Sequence, residues 1–175
     1  APGVALGGSD NLCPPTVGPS RALRIVSVGG VTSEITVSKA NYSLTPVSSR
    51  YGAKVLLDGG KKVGYLNMRT FIDTSDAALR SAFATFKAEG VTELIIDLRY
   101  NGGGLVSTAE LMGDLLGANR STSDVFSLTR FRASKASNND TKRFAPQPQS
   151  IAPIKVAFIT TNATASASEL VMNSF

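Results

Sequence analysis

The sequence has no histidine, no tryptophan and a single cysteine among its 175 residues. Without histidine, no Ser-His-Asp or Cys-His site and no His-containing zinc site can be completed within these residues. One cysteine, Cys13, cannot close an internal disulfide and is too few for a thiolate metal cluster. No apolar run approaches the ~18 residues of a membrane-spanning helix, so no integral membrane segment is expected. The chain opens on Ala rather than Met with no signal-like apolar segment behind it, and reads as trimmed or processed. What is present is ordinary in proportion: 42% apolar residues, 18% charged, 16 Gly, 8 Pro and a net charge of +5. Neither disorder nor a collagen-like fibre is favoured, and the length suits one domain, or one domain with part of another.

Residues 1–20 are rich in Gly, Pro and Ser without a period and read as a loop. Two alternating β-branched runs then flank Gly29-Gly30, the pattern of a hairpin. A polar stretch after Pro46, with Asp58-Gly59-Gly60, marks a boundary near residues 47–60. From residue 62 strands and helices alternate. Val63–Arg69 reads as a strand. A helix follows an N-cap among Thr74, Ser75 and Asp76, with Leu79, Ala82, Phe83 and Phe86 on one face and Gly90 as its stop. Glu93–Leu98 is nearly unbroken in apolar residues, as in a strand covered on both faces. Gly102-Gly103-Gly104 and a helix over Val106–Leu116 come next, with Leu111, Met112 and Leu115 inward. Residues 119–150 form a polar, basic excursion with a possible hairpin, Ile154–Thr160 is a third core strand, and Ser166–Phe175 opens a helix. The β-α-β-Gly-α order predicts an α/β fold with a mostly parallel sheet. The chain ends inside an apolar helix and therefore reads as truncated.

Two strand-to-helix junctions carry residues suited to chemistry. Glycines at the carboxyl end of a parallel strand allow close backbone approach to an anion or developing oxyanion; the same run also serves as a tight turn needing positive φ. It is neither GxGxxG nor a Walker loop, which disfavours nucleotides. At the second junction, Ser166-Ala167-Ser168-Glu169 fits a capping box. Ser166 is thus either a helix cap or a nucleophile, and one hydroxyl cannot fully serve both. If Ser166 is the nucleophile, the Ala167 amide stands beside it as an oxyanion donor and Thr164 becomes the alternative cap. Together the two junctions form an acyl-transfer constellation. Its base would be a lysine of depressed pKa, and none of Lys39, Lys54, Lys61, Lys62, Lys87, Lys135, Lys142 or Lys155 sits in an apolar context near a strand's carboxyl end.

Lys62–Arg69, the helix after Thr74, ELIIDLRYNGGGL and KVAFITTNATASASELV resemble, in order and spacing, the carboxyl-terminal processing (tail-specific) proteases, serine peptidases with a Ser-Lys dyad on a core related to the crotonase fold. The resemblance covers roughly residues 48–175. It implies Ser166 as nucleophile, Gly103 or Gly104 with the Ala167 amide as oxyanion donors, and no metal or organic cofactor. The family's lysine lies in a Gly-Lys segment a couple of dozen residues beyond the serine, so the dyad's lysine is expected outside this chain. Where the family commonly has Pro before Gly-Gly, this chain has Gly102. The resemblance further implies that residues 1–47 are the C-terminal remnant of a PDZ-like domain, that residues 48–175 are the N-terminal part of the catalytic core, that protein or peptide substrates are gripped by their C-termini, and that the compartment is the bacterial cell envelope.

Two rival functions share parts of this pattern: a crotonase-type acyl-CoA enzyme, which would not need Ser166, and a peptide-binding scaffold that has lost its base. A third idea, nucleic-acid contact by the basic excursion with Phe126, Phe131 and Phe144, lacks any recognised module. The excursion is read as solvated instead, with no nucleic-acid partner.

Overall fold

A computed structural model describes Gly18 and residues 20–175. Cys13 and the expected Gly/Pro-rich loop, apart from Gly18 and Ser20, lie outside the described residues. The chain divides into two compact units, Ala1–Ser43 and Leu44–Phe175. In the first, strands β1 (Ser20–Val26) and β2 (Thr32–Ser38) pair antiparallel around Gly30 at φ 78°. This is the hairpin expected from the Gly-Gly dipeptide.

The second unit is built on a four-stranded sheet of order β3-β4-β5-β8, from Ala53–Asp58, Lys61–Asn67, Glu93–Asp97 and Lys155–Ile159. β4, β5 and β8 are parallel, and β3 is antiparallel to β4. The α/β class with a mixed, mostly parallel sheet is therefore as expected. β3 was not expected as a strand. Its cue was Gly59-Gly60, which form a two-residue turn with φ 54° and 83° between paired Asp58 and Lys61, the positive-φ pair of a tight hairpin.

Three helices accompany the sheet: α1 (Ser75–Ala88), α2 (Val106–Leu116) and α3 (Ala167–Asn173). The faces predicted from helical spacing are buried, with Leu79, Ala82, Phe83 and Phe86 on α1 and Leu111, Met112 and Leu115 on α2. Gly90, at φ 67°, lies just past the C-cap of α1. Register places Gly64, Leu66, Leu94 and Ile96 on one face of the sheet, because side chains alternate along each strand. A Cβ on Gly64 would lie 2.5 Å from Leu94 and 3.3 Å from Phe86, so α1 seats closely there. The other face, with Tyr65 and Ile95, is only half-buried. β5 was expected to be covered on both faces; among the described residues one face is well covered.

The excursion forms a hairpin of β6 (Val125–Thr129) and β7 (Asp140–Arg143) around a 3₁₀ turn. Phe126 and Phe144 are buried and meet edge to face with centroids 5.4 Å apart. They serve as the apolar anchor of the excursion, and Lys142 is paired with Glu110 at 3.3 Å.

Candidate active site

The parallel strands end flush, Asn67 opposite Asp97 and Asp97 opposite Ile159. The segments that follow β4, β5 and β8 therefore leave the same end of the sheet, where ligands of parallel α/β sheets bind. After β5 the chain turns through Tyr100, a non-glycine residue at φ 63°, into Asn101 and the glycines, with Gly103 at φ 100° and Gly104 at φ 140°. After β8 it turns through Thr161–Ala165 into Ser166, which has φ 57° and ψ −120°. A serine at positive φ is a strained backbone, held only where its surroundings determine it.

These two crossings meet. A Cβ built on Gly103 would stand 2.7 Å from Ser166 Cβ and 2.9 Å from both Ala165 O and Ala167 N. Only glycine lets the backbones approach this closely. Ser166, Gly103, Gly104 and Ala167 are therefore brought together. Gly104 packs its bare Cα side against the Phe71 carbonyl. Phe71 N donates to Gly103 O at 3.0 Å, and Leu105 N donates to Phe71 O at 2.7 Å.

The residue that laces the site together is Asn101, part of the motif but not anticipated as a site residue. It is fully buried. Its Oδ1 accepts from Gly103 N at 2.9 Å and its Nδ2 donates to Met68 O at 3.0 Å. Its carbonyl accepts from Ala165 N at 3.2 Å and from Ser168 Oγ at 3.1 Å. One side chain and its own peptide thus fix the end of β4, the glycine turn and the serine turn to one another. The only sequence sign of this was an asparagine standing directly before three glycines.

The hydrogen bonds also separate groups of the same type. Ser168 is buried and committed to Asn101, whereas Ser166 is exposed. Ser166 N donates to Glu169 Oε2 at 2.7 Å. Ser166 and Glu169 form both halves of a capping box, the Ser166 side chain toward the Glu169 amide and the Glu169 carboxylate on the Ser166 amide. Thr164, the alternative cap, is engaged elsewhere: its Oγ1 accepts from Thr161 N at 3.0 Å and donates to Leu98 O at 2.8 Å. The Gly103 amide is committed to Asn101, while the amides of Gly104 and Ala167 have no acceptor among the described residues.

Beside the turn, Asp97 is buried and accepts from Arg99 Nε at 2.9 Å, Arg99 Nη2 at 2.6 Å and Tyr65 Oη at 2.7 Å. The Arg99 guanidinium holds the Asp97 carboxyl down at about 2, against the opposing effect of burial. Burial, and then the Asp97 carboxylate, push the Tyr65 hydroxyl up. Three lysines lie at the opposite end of the sheet. Lys61 and Lys155, at the far ends of β4 and β8, approach Glu93 at 3.8 and 4.0 Å, and Lys62 pairs with Glu89 at 2.7 Å.

The family model of Peptidase family S41 matches residues 62–175. The chloroplastic C-terminal processing peptidase of Tetradesmus obliquus is 31% identical over 93 residues, 47% of this chain and 20% of that protein. Carboxyl-terminal-processing peptidase 2 of Arabidopsis thaliana, also chloroplastic, is 32% identical over 78 residues, 43% of this chain and 15% of that protein. The chain spans a fifth or less of the length of these curated relatives. Among solved structures, a Bacteroides fragilis chain named for the S41 proteases superposes with a TM-score of 0.66 at 29% identity, over 90% of this chain and 45% of that one. The photosystem II D1 C-terminal processing protease shares the fold, with a TM-score of 0.54 at 21% identity, over 90% of this chain and 41% of that one.

Proposed function

Because this chain belongs to peptidase family S41, we propose that it supplies the nucleophile and oxyanion site of a serine peptidase that cuts peptide bonds through an acyl-enzyme. Ser166 Oγ bonds to the scissile carbonyl carbon and its proton passes to a lysine amine. That proton then goes to the leaving amine as the C–N bond breaks, and water releases the acyl group. The lysine is one that residues 1–175 do not provide. In support, the lysines at the starts of β4 and β8 are near Glu93 or Glu89, a strand's length from the serine turn. The oxyanion donors are the Ala167 amide and the Gly103–Gly104 turn, in which the Gly104 amide is the one not already engaged. Each such donor is worth about 10²–10³ in rate.

The observation that carries this reading is the approach of Gly103 to Ser166, Ala165 and Ala167, with Ser166 exposed on a strained strand-to-helix turn. A nucleophilic serine on such a turn presents its hydroxyl to substrate beside fresh backbone donors. The substrates are proteins or peptides, and the reading includes capture by their C-termini through a PDZ-like domain of which β1 and β2 are the last strands. The compartment proposed is the bacterial cell envelope. The test is Ser166→Ala in the full-length protein with a fluorogenic peptide and a fluorophosphonate probe. Turnover and labelling should both vanish; full activity in the variant removes the assignment, and a parent protein that never labels favours the acyl-CoA or scaffold alternatives.

A further inference from the structure

A cleft of about 470 Å³ opens beside the ends of β4 and β5, and three arginines, Arg50, Arg69 and Arg99, line it together with Tyr51 and Tyr100. Arg99 is paired with the buried Asp97. Arg50 and Arg69 have no acidic partner among the described residues; the Arg50 guanidinium stands 5.4 Å from the centre of the Tyr51 ring. The cleft thus holds three guanidinium groups against one carboxylate. Like charges gathered in a concave wall raise the local concentration of an opposite charge.

The arginines are mounted on a fixed frame. Ser48 N donates to Asn67 O at 3.0 Å, Asn67 N to Gly52 O at 3.0 Å and Arg69 N to Pro46 O at 2.7 Å. The Ser48 hydroxyl accepts from the amides of Arg50 and Tyr51. The segment carrying Arg50 is therefore tied to the end of β4 that carries Arg69. Arg50 and Arg69 thus line one cleft without an acidic partner among the described residues, and the Tyr51 ring is the one group there that answers the Arg50 charge.

We infer that this cleft is a carboxylate-binding subsite for the peptide substrate, with Arg50 and Arg69 as its anchors. The inference rests on the peptidase reading for the nature of its ligand. The carboxylate is an acidic side chain of the peptide or its free chain terminus, since both present the same planar group to a guanidinium fork. Geometry sets its place along the substrate. The cleft wall reaches the serine turn at Tyr100, whose N donates to Thr161 Oγ1 at 3.2 Å; its Arg69 side follows β4, which β5 alone separates from β8, and so lies about two strand spacings, roughly 10 Å, from that turn. That distance equals about three residues of extended peptide.

The test measures binding in the full-length Ser166→Ala protein by fluorescence anisotropy, so that no turnover is required. Otherwise neutral peptides carry Glu or Gln at the third residue on either side of the cut bond, each with a free or an amidated C-terminus. A Glu peptide should bind about 10- to 100-fold more tightly than its Gln counterpart, the range of a charged hydrogen bond. The Glu:Gln ratio should fall toward one in Arg69→Gln and in Arg50→Gln, be only partly kept in Arg69→Lys, which retains the charge without the fork, and shrink at high salt. If the chain terminus is the source, amidation gives the loss instead, with the same dependence on Arg50 and Arg69. A parent protein indifferent to both carboxylates, or a ratio that survives both glutamine variants, overturns the inference. Failure of the peptidase reading is told apart by the absence of fluorophosphonate labelling at Ser166, whatever the anisotropy shows.

Discussion

Replacing Gly103 with alanine should break the site while leaving its chemistry groups in the sequence. The added methyl would stand 2.7 Å from Ser166 Cβ and 2.9 Å from Ala165 O and Ala167 N, distances real Cβ atoms do not adopt. The φ of 100° adds backbone strain of about 1–3 kcal/mol for a residue with a side chain. Overpacking of this kind costs about another 1–3 kcal/mol. Relief requires the glycine turn to move away from Ser166. The turn is held by Phe71 N on Gly103 O and by Gly103 N on Asn101 Oδ1, so movement also loosens those bonds. We expect Gly103→Ala to lose about 2–6 kcal/mol of stability, read as a lower urea midpoint. In the fraction that stays folded, kcat/KM should fall about 100-fold, the effect of a displacement near 1 Å. Gly102→Ala is the matched control, because a Cβ there meets nothing within 4 Å; its stability should change by less than about 0.5 kcal/mol. A Gly103→Ala protein with unchanged midpoint and unchanged kcat/KM would refute the close approach on which the site is argued.

Asn101→Ala should leave the Gly103 amide and the Met68 carbonyl without their side-chain partners in a buried place. About 2–4 kcal/mol of stability should go with them, and activity per folded molecule should also drop, as urea titration and peptide hydrolysis would show. For Asp97 the folded carboxyl lies at about 2, below its ordinary 3.8. Its stabilisation, about 2 kcal/mol, is therefore fully present above about pH 4 and is lost as pH falls toward 2. The urea midpoint should decline across that window, and less steeply in Asp97→Asn; equal slopes would show that Arg99 does not hold the carboxylate.

Most of the elements were readable because their signals are local. Leu79, Ala82, Phe83 and Phe86 recur at helical spacing and are buried together, and Ser166 and Glu169 are placed by a four-residue pattern. β3 escaped because it is the edge strand of its sheet among the described residues, with Leu56 and Leu57 both exposed. An edge strand without a buried face shows no clean alternation. Asn101 escaped as a hub for a different reason: its partners Met68 and Ser168 stand 33 and 67 residues away in the chain.

The bare sequence determined what could not happen and what was formed nearby. A chain without histidine cannot build a His-based triad, and helix faces, tight turns and a cap candidate follow from neighbours a few positions apart. Tertiary structure alone decided which groups share a pocket. Strand register brings the segments after β4, β5 and β8 to one level, and hydrogen bonding across them engages Ser168 and the Gly103 amide while leaving Ser166 exposed and the Gly104 and Ala167 amides without an acceptor among the described residues. The gathering of Arg50, Arg69 and Arg99 has the same origin: spacing along the chain carries no information about which strand ends lie side by side until the sheet has paired.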